Sequence, residues 1–321
     1  MDSRGSSVQW MVTSDMTRRD LVLAAFQPAP QREQILRRME LVMGPLPSGA
    51  RSPLDPATES VERAEGYTRA LLSYCPEAGD RVPAYLLSPT IGKPPFPAAI
   101  CLHQTTSIGK AEPAGLGGKP NLHYAHELAQ RGFVAIAPDY PNFGGYKFDP
   151  YSNGYQSATM KGIWNHIRAI DLLQSLPAVD PNRIAAIGHS LGGHNALFLA
   201  AFDSRVRAVV TSCGFTSFRR YMGGDLTGWS HRGYMPRIAS HYGKDPARMP
   251  FDFSDVLAAI APRPVFVNAP LRDDNFDSQG VDEATAGQAH VTVHHPDAAH
   301  DFPAEIREQA YSFLARTLSG F

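Results

Sequence analysis

The chain has little cysteine. Cys75, Cys101 and Cys213 are scattered through 321 residues, odd in number, with two of them inside apolar strand-like runs. That excludes a disulfide framework or a cysteine-rich metal site, and the three read as reduced core thiols. Net charge is also lacking, with 30 Lys+Arg against 31 Asp+Glu. No basic field therefore draws the chain to nucleic acid or to an anionic membrane. No apolar run approaches the ~18 residues of a membrane span, and no repeat or low-complexity tract interrupts the sequence.

The N-terminus carries Met16-Thr17-Arg18-Arg19-Asp20 followed by a short apolar run, Leu21 to Phe26. A twin-arginine export signal needs an apolar region of roughly 7–15 residues, which this run does not reach. The expectation is a cytoplasmic protein with an amphipathic N-terminal helix; export by a degenerate signal near Arg18-Arg19 is the alternative. Residues 1–15 read as a flexible leader. Residues 1–56 are thus taken as leader and helical extension, and 57–321 as one catalytic domain with a cap-like insert at about 214–250.

What the chain does contain is alternation. Ile35, Leu36, Met39, Val42 and Met43 recur at helical spacing, and Gly44-Pro45-Leu46-Pro47 stops that helix. It is expected to pack on the outside of the main body. Tyr67 to Tyr74 and Val82 to Leu87 flank a turn composition, Pro76 to Asp80, which predicts an antiparallel hairpin. A short, wholly apolar strand follows at 98–102, and further strands at 133–137, 184–187, 206–211, 265–268 and 291–295. Helical patterns lie between them at 122–131, 156–176, 194–201, 256–260 and 281–289, and the closing helix is expected at 304–318. Buried strands alternating with helices mean an α/β fold: a mostly parallel central sheet, an antiparallel N-terminal hairpin and helices on both faces.

The most informative stretch is Ile184 to Gly193, IAAIGHSLGG. It reads as strand, tight turn and helix with Ser190 at the apex, the G-x-S-x-G nucleophile elbow, whose glycines permit a backbone too sharp for larger residues. A serine hydroxyl attacks only when a base takes its proton and a third group orients that base. In chain order the acid and then the histidine should follow, each on a loop past a strand end. Beyond the strand at 265–268 lie Asp273 and Asp274, with Asp273 favoured by its distance from the strand end. Beyond the last strand, His300 sits just before the closing helix. His189, His294 and His295 read as packing or surface residues, and His123 and His126 as structural. Oxyanion donors are expected from the N–H of Leu191 and from the loop after the 98–102 strand, where Gln104 and Thr105 both remain open. His103 on that loop, and Tyr221, Trp229, His231 and Tyr234 from the insert, are expected around the substrate pocket. No cofactor and no metal is called for.

With these residues in place the chain resembles the α/β-hydrolases, and within them the branch holding dienelactone-hydrolase-like and acetyl-xylan-esterase-like proteins. The narrower likeness rests on Val42 to Pro47, Asp80 to Leu86, Ala137 to Tyr140, Gly188 to Gly193 and Asn268 to Phe276, and runs from about Gln31 to the C-terminus. Two departures mark it. Ser190 stands where dienelactone hydrolases proper carry cysteine, and His103-Gln104 stands where His-Gly is usual. The resemblance implies a serine esterase of small acyl esters, such as acetyl esters of carbohydrates, acting through an acyl-enzyme. A small serine peptidase and a non-catalytic scaffold that binds a small ligand are the alternatives. The expected partner is a small-molecule or carbohydrate ester, with no nucleic acid and no membrane; a homo-oligomer is left open.

Overall fold

A computed structural model describes residues 29–320; the leader and the Arg18-Arg19 motif lie outside them. Among the described residues, nine strands form one sheet in the order β1-β2-β3-β5-β4-β6-β7-β8-β9. The strands are β1 Ala57–Ala64, β2 Tyr67–Tyr74, β3 Val82–Pro89, β4 Phe96–Leu102, β5 Val134–Pro138, β6 Val179–His189, β7 Val206–Ser212, β8 Val265–Asn268 and β9 Val291–His294. β1, β2 and β3 are antiparallel and β3 pairs antiparallel with β5, whereas β4 to β9 run parallel. The helices are α1 Ala29–Met43, α2 Tyr124–Gln130, α3 Ala158–Ser175, α4 Leu191–Phe202, α5 Arg237–Ser240, α6 Phe253–Ile260, α7 Ser278–Thr285 and α8 Ala304–Leu318.

Both faces of the parallel strands are covered, which is why β4, β5 and β7 are almost unbroken apolar runs. On one face α1, α3, α4 and α6 share the larger core with Ile100, Ile136, Ile184 and Val209. On the other, α2 and α8 cover Cys101, Ala135, Ile187 and Val210. No helix among the described residues is long and apolar enough to cross a membrane.

The first helix packs on the outside of the body as its pattern implies: Gln31, Glu33, Gln34, Arg37 and Leu41 face outwards, while Ile35, Met39, Val42 and Met43 are at most 2 % exposed and join the larger core. β1 was not anticipated at all. Its sequence, ATESVERA, is exposed almost throughout, so no buried face imposes a period-two alternation that could reveal it. The insert that follows β7 is built from short 3₁₀ turns and the single-turn α5. Its aromatic side chains nevertheless join the larger core, where Trp229 packs on Phe218, Tyr221, Phe253 and Phe276 at centroid distances of 5.6–6.0 Å.

Candidate active site

Ser190 lies between the end of β6 and the start of α4 with φ 53° and ψ −117°. That conformation costs a non-glycine residue of order 1–3 kcal/mol, so the surroundings must hold it. They do so by backbone contact. The Ser190 N–H donates to the Ser212 carbonyl at 2.8 Å, and a Cβ on Gly192 would stand 1.8 Å from the Leu102 carbonyl oxygen. On Gly188 a Cβ would meet the Gly192 carbonyl at 2.2 Å. The glycines flanking the serine are thus required by close approach of the elbow to itself and to β4.

The acid and the histidine converge on the same end of the sheet. His300 Nδ1 lies 2.9 Å from both Asp273 carboxylate oxygens, and the Asp273 side chain is 1 % exposed. Burial alone would push the Asp273 carboxyl up, but the hydrogen bond and charge of His300, with N–H donors from Asn275 and Phe276, hold it below its usual range. A carboxylate only accepts, so the neutral imidazole carries its proton on Nδ1 and presents a lone pair at Nε2. Asp274 is exposed and takes no part in this pair.

The His300 ring lies edge-on against His189, the neighbour of Ser190, at 4.8 Å between centroids. No hydrogen bond joins the Ser190 hydroxyl to His300, and that hydroxyl has no partner among the described residues. His189 has the packing role expected of it. Its Nδ1 meets Ser212 Oγ at 2.9 Å, and burial holds its pKa well below the usual histidine value. Asn268 ties this layer to the histidine loop, donating from Nδ2 to Ser212 Oγ at 2.8 Å and to the Asp301 carbonyl at 2.9 Å.

Cys213, Asp273 and His300 bring their thiol, carboxylate and imidazole atoms within 4.8 Å of one another. They fit a metal ion poorly. Burial pushes the Cys213 thiol up and keeps it protonated, and the carboxylate is already committed to His300 and the loop N–H groups.

A cavity of about 260 Å³ opens over Ser190, lined among others by Gln104, Thr105, Leu191, Tyr221, Trp229 and Tyr234. As the first residue of α4, Leu191 has no intrahelical acceptor for its N–H. The Gln104 side chain is turned away: its amide donates to both oxygens of the buried Glu112 carboxylate, at 3.0 and 2.9 Å. What Gln104 and Thr105 offer the cavity as N–H donors is therefore backbone. Thr105 Oγ1 pairs with Tyr234 Oη at 2.8 Å, joining this loop to the insert.

Two residues expected around the pocket stand elsewhere. His103 is buried behind the wall, its Nδ1 on the Gln104 carbonyl at 2.6 Å and its Nε2 accepting from the Tyr140 N–H at 2.9 Å. It braces the loop instead of lining the cavity. His231 is exposed and packs on Tyr234, 4.1 Å between ring centroids. Sequence reasoning missed Asn275, Phe276 and His194, all of which line the cavity. His194 was detectable, since it lies one helical turn after Ser190 and so shares its face. Nothing local distinguishes Asn275 or Glu112 from ordinary loop residues.

Residues 121–281, half of the chain, match the model of the prolyl oligopeptidase family, a stretch that takes in the elbow and the Asp273 loop and ends before His300. The chain belongs to the prolyl oligopeptidase family. This family member is 26% identical over 314 residues to YtaP of Bacillus subtilis (strain 168), covering 90% of this chain and 99% of that one. It is similar in fold to a glucuronoyl esterase from Solibacter usitatus, with TM-score 0.71 and 20% identity over 89% of this chain and 92% of that chain. It is also similar to acetyl xylan esterase 1 from Thermoanaerobacterium sp. JW/SL YS485, with TM-score 0.64 and 17% identity over 94% and 99% of the two chains. The α/β-hydrolase fold read from the motifs is borne out for this prolyl oligopeptidase family member, which shares its fold with these two esterases.

Proposed function

We propose that the protein is a serine esterase that hydrolyses small carboxylic esters, with acetyl esters of carbohydrates as the favoured class. The observation carrying this is the Asp273–His300 pair, built against the residue next to an elbow serine that opens into a cavity. Rotation about the Ser190 Cα–Cβ bond brings Oγ to His300 Nε2 when substrate binds, a tightening common among catalytic hydrogen bonds that are loose in free enzymes. Ser190 then attacks the ester carbonyl while His300 takes its proton. The oxyanion is held by the N–H of Leu191 and a backbone N–H from Gln104 or Thr105. His300 returns the proton to the leaving alcohol, and water reverses the sequence to release the acid.

The structural neighbours, a glucuronoyl esterase and an acetyl xylan esterase, support a carbohydrate ester as substrate. The cavity volume is below the roughly 300–1,000 Å³ of drug-sized ligand sites, which supports a short acyl group. Free Cys75, Cys101 and Cys213 support a reducing, cytoplasmic setting. The family match carries a second reading, cleavage of a short peptide.

A series of p-nitrophenyl esters, acetylated xylan and an aminoacyl-prolyl p-nitroanilide separates these readings. Expected are a kcat/KM that peaks at acetate and falls at least tenfold by octanoate, release of acetate from xylan, and no anilide cleavage. A maximum at octanoate removes the deacetylase reading, and anilide cleavage faster than ester cleavage favours the peptidase.

Glu112 acts on this reaction through Gln104. Glu112→Gln trades a charged acceptor for an amide and loosens the loop, and a displacement of an ångström can cost about 10²-fold. The expected result is a 10- to 100-fold fall in kcat for p-nitrophenyl acetate with KM little changed. A fall in kcat/KM carried by KM alone removes Glu112 from this role.

A further inference from the structure

His194 carries a feature that the chemistry above leaves unused. It sits one helical turn beyond Ser190, lines the same cavity and is otherwise buried. Its ring is fixed by Trp229 at 4.7 Å, Phe198 at 5.7 Å and an edge-on Tyr234 at 6.0 Å. Nδ1 lies 3.2 Å from the Gly214 carbonyl. A carbonyl oxygen only accepts, so the ring proton sits on Nδ1 and Nε2 keeps its lone pair. Nε2 has no partner among the described residues. Burial lowers the pKa to about 3, which keeps the ring neutral at any working pH. Nε2 of His194 is therefore an acceptor that cannot become a donor.

The rest of the cavity does not satisfy that acceptor. Tyr234 Oη and Thr105 Oγ1 are paired with each other, the Gln104 amide is committed to Glu112, and none of the other donors lining the cavity, on Ser190, Tyr221, Trp229 and Asn275, is hydrogen-bonded to Nε2. An acetyl group has no donor to offer. A donor supplied by the substrate therefore belongs to the alcohol half of the ester.

We infer that His194 Nε2 is a specificity site that accepts a hydrogen bond from a free hydroxyl of the substrate alcohol, selecting partly acetylated polyols and sugars over esters whose alcohol lacks that hydroxyl. The inference rests on the esterase reading and narrows it. A site built to bond a hydroxyl loses affinity for the analogue without one, because its buried acceptor is then left unpaired.

The test compares, in the full chain, a mono-acetylated methyl xyloside bearing a free neighbouring hydroxyl with its analogue deoxygenated at that hydroxyl and with its O-methyl ether. In wild type kcat/KM is expected to favour the hydroxylated ester by about tenfold or more. In His194→Phe the ratio is expected to collapse towards one. Because the ratio is taken within one protein, a loss of absolute rate does not disturb it. Should His194→Phe be too impaired to assay, the imidazole ¹⁵N spectrum of Ser190→Ala mixed with the intact acetyl sugars reads the same contact. The Nε2 resonance of His194 is expected to shift upfield with the hydroxylated sugar and to stay in place with the deoxy analogue.

A wild-type ratio near one, a ratio preserved in His194→Phe, or an unmoved Nε2 resonance overturns the inference. So does turnover of p-nitrophenyl acetate with no turnover of either sugar, an outcome that leaves the esterase reading standing. Loss of that reading shows separately, as ester turnover that does not depend on Ser190.

Discussion

Ser190→Ala is expected to lower kcat for p-nitrophenyl acetate by roughly 10⁴- to 10⁶-fold while leaving a folded protein. The range follows from how such constellations fail. Without a nucleophile, the histidine and its acid have nothing to activate, and only substrate binding and the oxyanion donors remain. Folding should survive because the elbow is shaped by the N–H of Ser190 and by contacts of Gly188 and Gly192, none of which involves the hydroxyl. Alanine suffers the same strain at φ 53° as serine, so the melting temperature should move little. A fluorophosphonate probe should label wild type at Ser190 and leave the variant unlabelled. Turnover within tenfold of wild type, or labelling at another residue, defeats the assignment.

The second large effect is expected at Asp273. Asp273 Oδ1 accepts from the N–H groups of Asn275 and Phe276, at 2.9 and 3.1 Å, as well as from His300. In Asp273→Asn the side-chain oxygen stays on those two N–H groups, and the new NH₂ is turned towards His300 Nδ1. An NH₂ only donates, so the imidazole must offer Nδ1 as acceptor and move its proton to Nε2. That is the wrong tautomer for a base facing Ser190. A loss of about 10⁴-fold in kcat is expected, with KM little changed. Retention of more than a tenth of wild-type kcat would show that another group orients His300.

The folded-state pKa of Asp273 is depressed, so the carboxylate contributes stability that is complete above its unfolded value. That contribution is lost as pH falls through the folded value. In wild type, acid should therefore erode both the stability and the orientation of His300. Asp273→Asn should flatten this part of the acid limb of a stability profile.

Much of the architecture was legible in the amino-acid order because the parallel strands are buried on both faces. The runs at 98–102 and 265–268 coincide with β4 and β8 to within two residues, and the closing helix matches α8. What escaped has no such constraint. β1 pairs by backbone alone and exposes nearly every side chain, so its composition is free to look like loop. At the site, the loops after β8 and β9 were placed by counting past strand ends, and Asp273 with His300 came out as a bonded pair. His103 and His231 could not be placed that way. Whether a loop side chain faces a cavity or its own backbone depends on partners distant in sequence, such as Tyr140 for His103. The same holds for Glu112, whose burial is settled by the fold of the loop around it and by no periodicity.

The almost wholly buried α4 sets the timescale on which the site can come apart. From Leu191 to Ala201 no residue of this helix faces solvent. A helix with an outer face can fray or peel away while the core stays closed, but α4 is wedged between α3, α6 and the sheet. Its amide hydrogens have no local route to exchange and should share the slowest, global opening of the domain. The nucleophile thus rides on the last part of the molecule to open, and the mobility that substrate exchange requires has to be supplied by the insert and the histidine loop.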